Sequence, residues 1–324
     1  MPKVIRGICV DKLLKSIEAV LKAEDDDLSN QLDEEGFPDS DKQVKHINKL
    51  EDSICDILEE EYEFFATDIT EFEMDAQAYL SLHFPSMTAA DLTASKIKEL
   101  FFKDLKEHLP KLATLYIEQS DSALSVTNLS YSTQDFISSW SEQLGEMMQV
   151  SSHKKLTDII QSGITNGESI ADIAIKIQDA GIRTNPARAR STAITEVLRA
   201  NSYANLEAMQ QSPAVQRKTW RHTGAYKNEP RQNHVNMDGQ TVDKFDKFTL
   251  TGADGATYEV DCPRDTSLPA AESVNCHCTV IYLVDDDILG FTLEEREAMQ
   301  EQALQEWNEQ WIALHPDRAL KFIS

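Results

Sequence analysis

The chain's most informative stretch is residues 220–278, which read WRHTGAYKNEPRQNHVNMDGQTVDKFDKFTLTGADGATYEVDCPRDTSLPAAESVNCHC. Three of the five cysteines, three of the eight histidines and four of the eleven glycines fall within it. The dipeptides Asp238-Gly239 and Asp254-Gly255 are typical of tight hairpin turns, because glycine readily adopts a positive φ. The stretch therefore predicts a small unit rich in β structure.

The residues before this stretch predict helices. Apolar positions recur at helical spacing from Val44 to Leu82, and no glycine occurs between Gly36 and Gly145. A chain of 324 residues with 41% apolar content can bury a sizeable core. We therefore predict a mainly α-helical α+β protein, with an N-terminal helical bundle, a long central helix and a small β-rich C-terminal unit.

Shifts in composition divide the chain into five predicted parts. The acidic segment 25–43 has little to bury, so we expect a mobile linker. The five parts are an N-terminal helix (1–24), this acidic linker (25–43), an α-helical domain (44–150), a domain of helices followed by the β-rich unit (151–284) and a C-terminal acidic helix (285–324).

Prolines and small residues predict where the helices end and pack. Pro85 and Pro110 are expected to interrupt helices, and Pro186 is expected at the first turn of the central helix. That helix carries a ridge of small side chains, which lets neighbouring backbones approach closely, so we expect it to be the central strut. The ridge consists of Ala189, Ala193, Val197, Ala200, Ala204 and Ala208.

The C-terminal end predicts one strand and one helix. Residues 279–284 are almost wholly apolar, which indicates a strand buried on both faces. Thr292 followed by Glu295 is a capping box, so a last helix should begin there. Trp307 and Trp311 form part of an apolar stripe on that helix, which docks either on a partner or back on its own domain.

The formal net charge of −25 is concentrated at the two ends of the chain. Residues 183–231 instead carry nine Lys or Arg against three Glu, an excess that suits phosphates or an acidic protein partner. The alternative is a solvated helix face with its connecting loop. The candidate contact residues for DNA or a partner are Arg188, Arg190, Arg199, Arg217, Lys218 and Arg221.

Apolar runs and cysteine usage indicate the compartment. No apolar run approaches the roughly 18 residues of a membrane span, and the first ten residues lack a signal-peptide core. We therefore expect a soluble protein made in the cytosol. Five clustered cysteines do not resemble a secreted disulfide framework, so a reducing compartment or a bound metal explains them better.

A cluster of cysteine and histidine residues predicts a structural zinc site. Cys276 and Cys278 lie two apart, so on a strand they face the same side while His277 faces the other. With His234 and Cys262 they form a candidate tetrahedral Cys3His site, in which Asp261 is an alternative to Cys262. Two further readings stay open: buried core thiols with His234 bonded to the turn at 238–239, or a disulfide from Cys262 to one of the pair.

An ordered set of residues within about 155–284 resembles a known family. The family is the Mu F-like head morphogenesis group, minor head proteins of tailed bacteriophages. The residues that carry the resemblance are Ala193-x-Thr195-Glu196, Asn201, Trp220, Arg231-x-x-His234, Asp238-Gly239-Gln240, Pro263 and Asn275-Cys276-x-Cys278.

The resemblance implies a structural protein and not an enzyme. A protein of this family is expected in few copies in the virion of a phage or prophage, at the portal vertex or the capsid interior, after synthesis in the host cytoplasm. It is expected to act in procapsid assembly with the portal protein and with capsid or scaffold proteins, and in some relatives to accompany the phage DNA.

Two alternative functions follow from other features. A metal-dependent hydrolase or nucleic-acid-processing enzyme would use the His/Cys cluster as ligands and Asp238 or Glu259 as base, although none of the common catalytic motifs is present. Related domains also stand at the front of toxin chains as carriers. We expect no separate toxin domain here, because only about 40 residues follow Val284.

Overall fold

The structure is a computed structural model, and it describes residues 10–223 and 230–322, of which 10–21 by backbone alone. Residues 1–9 of the predicted N-terminal helix lie outside the described part. The helices are α1 Val10–Glu34, α2 Ser40–Glu71, α3 Ala76–Ala78, a π-helical turn Tyr79–His83, α4 Phe84–Ala90, α5 Thr93–Ser120, α6 Tyr131–Thr165, α7 Ile170–Gln211, α8 Gln232–Val235, α9 Ala270–Ser273, α10 Asp286–Leu289, α11 Leu293–Leu314 and α12 Pro316–Ala319. The strands are β1 Val215–Arg221, β2 Thr241–Asp243, β3 Phe248–Thr251, β4 Thr257–Val260 and β5 Thr279–Val284. The prediction of a mainly α-helical α+β fold is confirmed.

Helix α7 is the central strut of the protein. It begins with a capping box between Ser169 and Asp172, runs for 42 residues and packs on α2, α5 and α6. The ridge of small residues predicted for it is buried, including Ala189, Ala193 and Ala204 at 0% exposure. The predicted packing role is therefore confirmed.

The helices run further than the sequence predicts. Pro186 lies inside α7 and Pro110 lies inside α5, so neither interrupts its helix. Proline removes one backbone hydrogen bond, and here the tertiary packing on both sides outweighs that loss. The helical pattern from Val44 to Leu82 corresponds to α2, which ends at Glu71, followed after a short break by α3 and the π-helical turn that leads into α4.

The prediction that the acidic segment 25–43 is a mobile linker is wrong. Helix α1 continues to Glu34, and α2 begins at Ser40 after a short turn. Within this segment Leu32 is completely buried and Phe37 is 4% exposed. A few apolar side chains therefore anchor an acidic segment to the core, with Asp33 and Glu34 exposed and Glu35 buried between them.

Within residues 10–223 and 230–322, five short strands form two antiparallel sheets. Three strands pair in the order β2-β1-β5, with Trp220 opposite Val280, while β3 and β4 form a separate hairpin. The predicted turn at Asp254-Gly255 closes this hairpin, and Gly255 has a φ of 81°. The prediction that β5 is buried on both faces is wrong, because Ile281 and Leu283 are 46% and 59% exposed on an edge strand.

The last long helix packs back on its own protein. Thr292 caps α11 in the predicted capping box with Glu295. Trp311 is buried against His315 and Phe322, and Trp307 stacks on Phe245 with ring centroids 5.3 Å apart. Among the residues that the structure describes, no helix has the length and apolarity of a membrane span.

Candidate metal centre

Three side chains from two separate segments converge at the edge of the β-rich unit. His234 lies on α8, while Cys276 and Cys278 lie just before β5. His234 Nδ1 is 3.5 Å from Cys276 Sγ and 3.6 Å from Cys278 Sγ, and the three donor atoms all lie within 4.8 Å of one another. Each of the three residues is 2% exposed, so the cluster is buried.

Glu272 fixes the orientation of His234. The Glu272 carboxylate lies 2.8 Å from His234 Nε2 and also accepts hydrogen bonds from the Ala253 N–H and the Asn233 amide. Because Nε2 donates to this carboxylate, Nδ1 is left as the nitrogen that faces the two thiols. Glu272 was not predicted from the sequence, because it lies on α9, far from His234 along the chain, and no local pattern marks it.

His222 approaches the cluster from the end of β1. Its Nδ1 lies 3.5 Å from Cys278 Sγ, and its backbone N–H donates a 2.9 Å hydrogen bond to Asp238. His222 was not predicted from the sequence either. Its place follows from the strand register, since His222 follows Trp220 by two positions and Trp220 pairs with Val280, two positions after Cys278.

Cys262, the fourth predicted ligand, lies apart from the cluster. It follows β4, is 1% exposed and does not belong to the group of converging donor atoms. Burial raises the pKa of its thiol well above the ordinary value, and the carboxylates of Asp265 and Asp261 raise it further. All described cysteines are free thiols, so no disulfide links Cys262 to Cys276 or Cys278 in this part of the chain.

The two clustered cysteines differ in acidity. A hydrogen bond from Cys278, together with His234 and the Arg264 charge, lowers the pKa of Cys276 well below its ordinary value against the effect of burial. The same hydrogen bond raises the pKa of Cys278 well above its ordinary value. The arrangement therefore favours loss of one proton from the pair, and thiolates are the form that binds metals.

The loop that carries the cysteines is fastened to the helices. The Asn275 N–H donates to Thr195 Oγ1 at 3.2 Å, and Asn275 has a φ of 52°. Arg264 is 1% exposed and donates to the Cys276 carbonyl and to Ser202 on α7. His277 turns away from the cluster and lies 2.8 Å from Glu35, at the end of α1.

The other residues of the sequence motif hold α7 in place. Asn201 is fully buried, and its amide bonds Gln43 on α2 while its oxygen accepts from Tyr116 on α5. Glu196 accepts a 2.6 Å hydrogen bond from the Trp140 indole N–H. Arg231 donates to the Val274 carbonyl at 2.7 Å. These contacts are structural, because each satisfies a buried or half-buried polar group.

Four of the six predicted contact residues for DNA or a partner are engaged inside the protein. Arg188 donates to Ser152 and to the Met148 carbonyl. Arg190 pairs with Asp25 and Glu51, at 3.1 and 2.9 Å. Arg199 pairs with Glu196 at 3.0 Å and is 3% exposed, while Lys218 is completely buried and donates to the Asp261 carbonyl.

The remaining two basic residues are exposed on β1. Arg217 lies 3.6 Å from Asp243 on the neighbouring strand, at a surface where such pairs contribute little. Arg221 ends the strand and is exposed. The structure therefore does not gather the six residues into one basic surface.

Comparisons of the sequence with known proteins identify a family and two relatives. The family described as Phage Mu protein F like protein matches residues 154–281. The chain is 33% identical over 301 residues to the uncharacterized protein YqbB of Bacillus subtilis (strain 168), which covers 91% of this chain and 97% of YqbB. No solved structure matches.

A second relative matches a smaller part of the chain. The NAD(+)–arginine ADP-ribosyltransferase EFV of Enterococcus faecalis (strain ATCC 700802 / V583) is 27% identical over 165 residues. That alignment covers 49% of this chain and 31% of EFV, so it does not establish an enzymatic activity here.

The family match and the long alignment coincide with the described site. The family match runs from the C-terminal part of α6 into β5 and includes His222, His234 and both clustered cysteines. The alignment with YqbB extends over nearly the whole chain. The chain therefore belongs to the Phage Mu F-like family, as its motif residues predict.

Proposed function

We propose that the protein is a minor structural and assembly protein of a tailed-phage or prophage head, acting at the portal vertex or the capsid interior during procapsid assembly. Membership of the family indicates phage head morphogenesis and a place in the virion. The observation that carries the proposal is the family match over residues 154–281, which contains α7 and the unit built on it.

The charge distribution supports protein partners. The chain has a net charge of −25, and four of its six candidate basic residues are engaged internally. A negative surface repels nucleic-acid phosphates, whereas it can complement a basic patch on a protein. We therefore propose the portal protein and capsid or scaffold proteins as partners, with contact to phage DNA limited to the exposed Arg217 and Arg221.

Burial of the cluster argues against the hydrolase alternative. A catalytic metal needs an open coordination position and a base that reaches it. His234, Cys276 and Cys278 are each 2% exposed, and Glu272 is already bonded to His234. Of the predicted bases, Glu259 instead accepts a hydrogen bond from Thr249 across the β3-β4 hairpin.

The proposal is tested by deleting the gene from the phage or prophage and restoring it on a plasmid with a small affinity tag. We expect deletion to lower the yield of DNA-filled heads and the plasmid copy to restore it. Quantitative mass spectrometry of purified procapsids should find the protein in few copies relative to the major capsid protein. Cross-linking within these particles should join it to the portal protein.

Two results would overturn the proposal: absence of the protein from both procapsids and mature heads, or an unchanged head yield after deletion. The DNA contact is tested separately with the double variant Arg217→Glu/Arg221→Glu. Retention on DNA at low salt that is equal for this variant and the unaltered protein would exclude that contact and leave the assembly role intact.

A further inference from the structure

The His/Cys cluster has the spacing of a tetrahedral metal site. Zinc binds sulfur at about 2.3 Å and nitrogen at about 2.0–2.1 Å, so a nitrogen and a sulfur on the same tetrahedral ion lie about 3.6 Å apart. His234 Nδ1 lies 3.5 Å from Cys276 Sγ and 3.6 Å from Cys278 Sγ. Three donor atoms are thus already placed around one point.

A fourth possible ligand, His222, contacts one of these three donors. His222 Nδ1 is 3.5 Å from Cys278 Sγ, again the separation of two ligands on one ion. His222 is half-buried at the end of β1. Neither His222 nor Cys262 belongs to the group whose donor atoms all lie within 4.8 Å of one another, but His222 contacts one of the clustered thiols and reaches the ion by a turn of its side chain.

The shell around these residues also has the form of a metal site. A histidine that binds a metal usually donates its other ring N–H to a carboxylate, which fixes the tautomer and strengthens the ligand. Glu272 occupies this place at 2.8 Å from His234 Nε2, and the Ala253 N–H and the Asn233 amide hold the carboxylate. Glu272 is itself 2% exposed, so it is a positioning residue in the interior.

We propose a structural zinc site with four ligands, namely His222, His234, Cys276 and Cys278. Two thiolates and two imidazoles in a tetrahedral arrangement suit zinc. Binding of the ion releases the remaining thiol protons to solvent. The site joins the end of β1, helix α8 and the start of β5, three segments that are distant in sequence, and it stands independently of the head-assembly role.

The first experiment measures zinc by mass spectrometry in the purified full-length protein and its variants. We expect about one zinc per chain in the unaltered protein and none in Cys276→Ser/Cys278→Ser. Cys262→Ser is the matched control, since it makes the same change at a buried cysteine of the same unit, and it should keep its zinc. In His222→Ala, competition with a chromophoric chelator should show zinc affinity at least about tenfold lower.

A second measurement does not depend on the variants folding. The unaltered protein is stripped with a chelator and titrated with Co²⁺, which absorbs visible light intensely when four ligands including thiolates surround it. We expect this absorption to saturate at one equivalent and to disappear when zinc is added. The absence of zinc from the purified protein, together with no such cobalt spectrum, would overturn the site. Loss of zinc in Cys262→Ser with retention in His222→Ala would overturn the ligand set.

Discussion

The helical region, residues 22–211, and the β-rich unit, residues 215–284, differ in how much regular structure supports their cores. The helical region buries apolar side chains completely, such as Ile47, Leu58 and Phe65. The strands of the β-rich unit have only three to seven residues, and the charged residues Lys218 and Arg264 are completely or almost completely buried within it. Short strands form a weak core by themselves, so this unit depends on specific polar contacts and on its attachment to α7.

The two regions nevertheless share one hydrophobic core. The main cluster of buried apolar residues extends from Leu32 on α1 to Val280 on β5 and includes Trp220 and Phe248. The domain boundary expected at residues 150 and 151 stays a prediction, although this core extends on both sides of it. The difference between the regions therefore concerns how each is stabilised, and loss of one kind of contact should affect them unequally.

The largest effect is expected from removal of the proposed zinc. Structural zinc contributes on the order of 10 kcal/mol in small metal-dependent folds. Chelation should therefore remove hydrogen-exchange protection from β1 and β5 and leave α2 and α5 protected. Equal loss of protection in both regions, or no loss at all, would contradict an unequal dependence on the metal. The variant Cys55→Ser, which changes a thiol of the helical region, should respond to chelation like the unaltered protein.

Removal of one large core side chain from the β-rich unit should have the next largest effect. Trp220 is completely buried, and its ring packs edge-on against Phe248 with centroids 5.5 Å apart. We expect Trp220→Ala to lower the free energy of unfolding by about 3–5 kcal/mol, measured by urea denaturation. Trp307→Ala is the control, because Trp307 is only half-buried on α11, and its cost should be smaller. Equal costs for the two changes would show that the β-rich unit does not depend on its core tryptophan.

A buried carboxyl should make the helical region sensitive to pH. Burial, helped by the nearby charge of Asp91, raises the pKa of Glu61 from 4.5 to about 8. The folded protein then holds a proton that the unfolded chain releases above about pH 4.5. Stability should fall as the pH rises from 4.5 to about 8, by at most about 1.4 kcal/mol per pH unit.

The variant Glu61→Gln tests this sensitivity. Its glutamine cannot ionise, so denaturation series between pH 5 and 9 should show a flatter profile than the unaltered protein. Glu63→Gln changes an exposed neighbour on the same helix and should leave the profile as it was. An unchanged slope in Glu61→Gln would mean that Glu61 titrates normally.

The smallest effect is expected where the two regions meet outside the metal cluster. His277 stands between the two cysteines in sequence, yet it contacts Glu35, just after α1, at 2.8 Å. We expect His277→Asn to lower the free energy of unfolding by about 1–2 kcal/mol through loss of this contact, while the zinc content stays unchanged. Loss of zinc in this variant would place His277 among the ligands. Glu35→Gln, which changes the other partner of the same contact, should reproduce the loss of stability.

The sequence predicts those parts of the fold that depend on local signals. The capping box at Thr292, the hairpin turn at Asp254-Gly255 and the small-residue ridge of α7 depend on residues that are close in sequence, and the structure contains all three. Pro110 and Pro186 misled the prediction because a proline's cost is local, whereas the packing that overcomes it comes from distant helices.

The candidate site was predictable only in part. Cys276, Cys278 and His234 have the residue types and the strand alternation of metal ligands, so the sequence pointed to them. The choice between Cys262 and His222 depends on how β1 aligns with β5, and Glu272 comes close only because α9 folds over α8. Such register and tertiary contacts have no local sequence signal, so the sequence indicated Cys262 and not His222.

The continuous helix α7 sets the distance between two parts of the protein. At a rise of about 1.5 Å per residue, a helix of 42 residues spans about 63 Å. Its first turns pack in a separate apolar cluster with Phe65 and Tyr79, and its last turns support the β-rich unit. The helix therefore holds its two ends at a fixed distance. A partner that binds both ends of the protein finds them at this spacing, which changes only if the helix bends or unfolds.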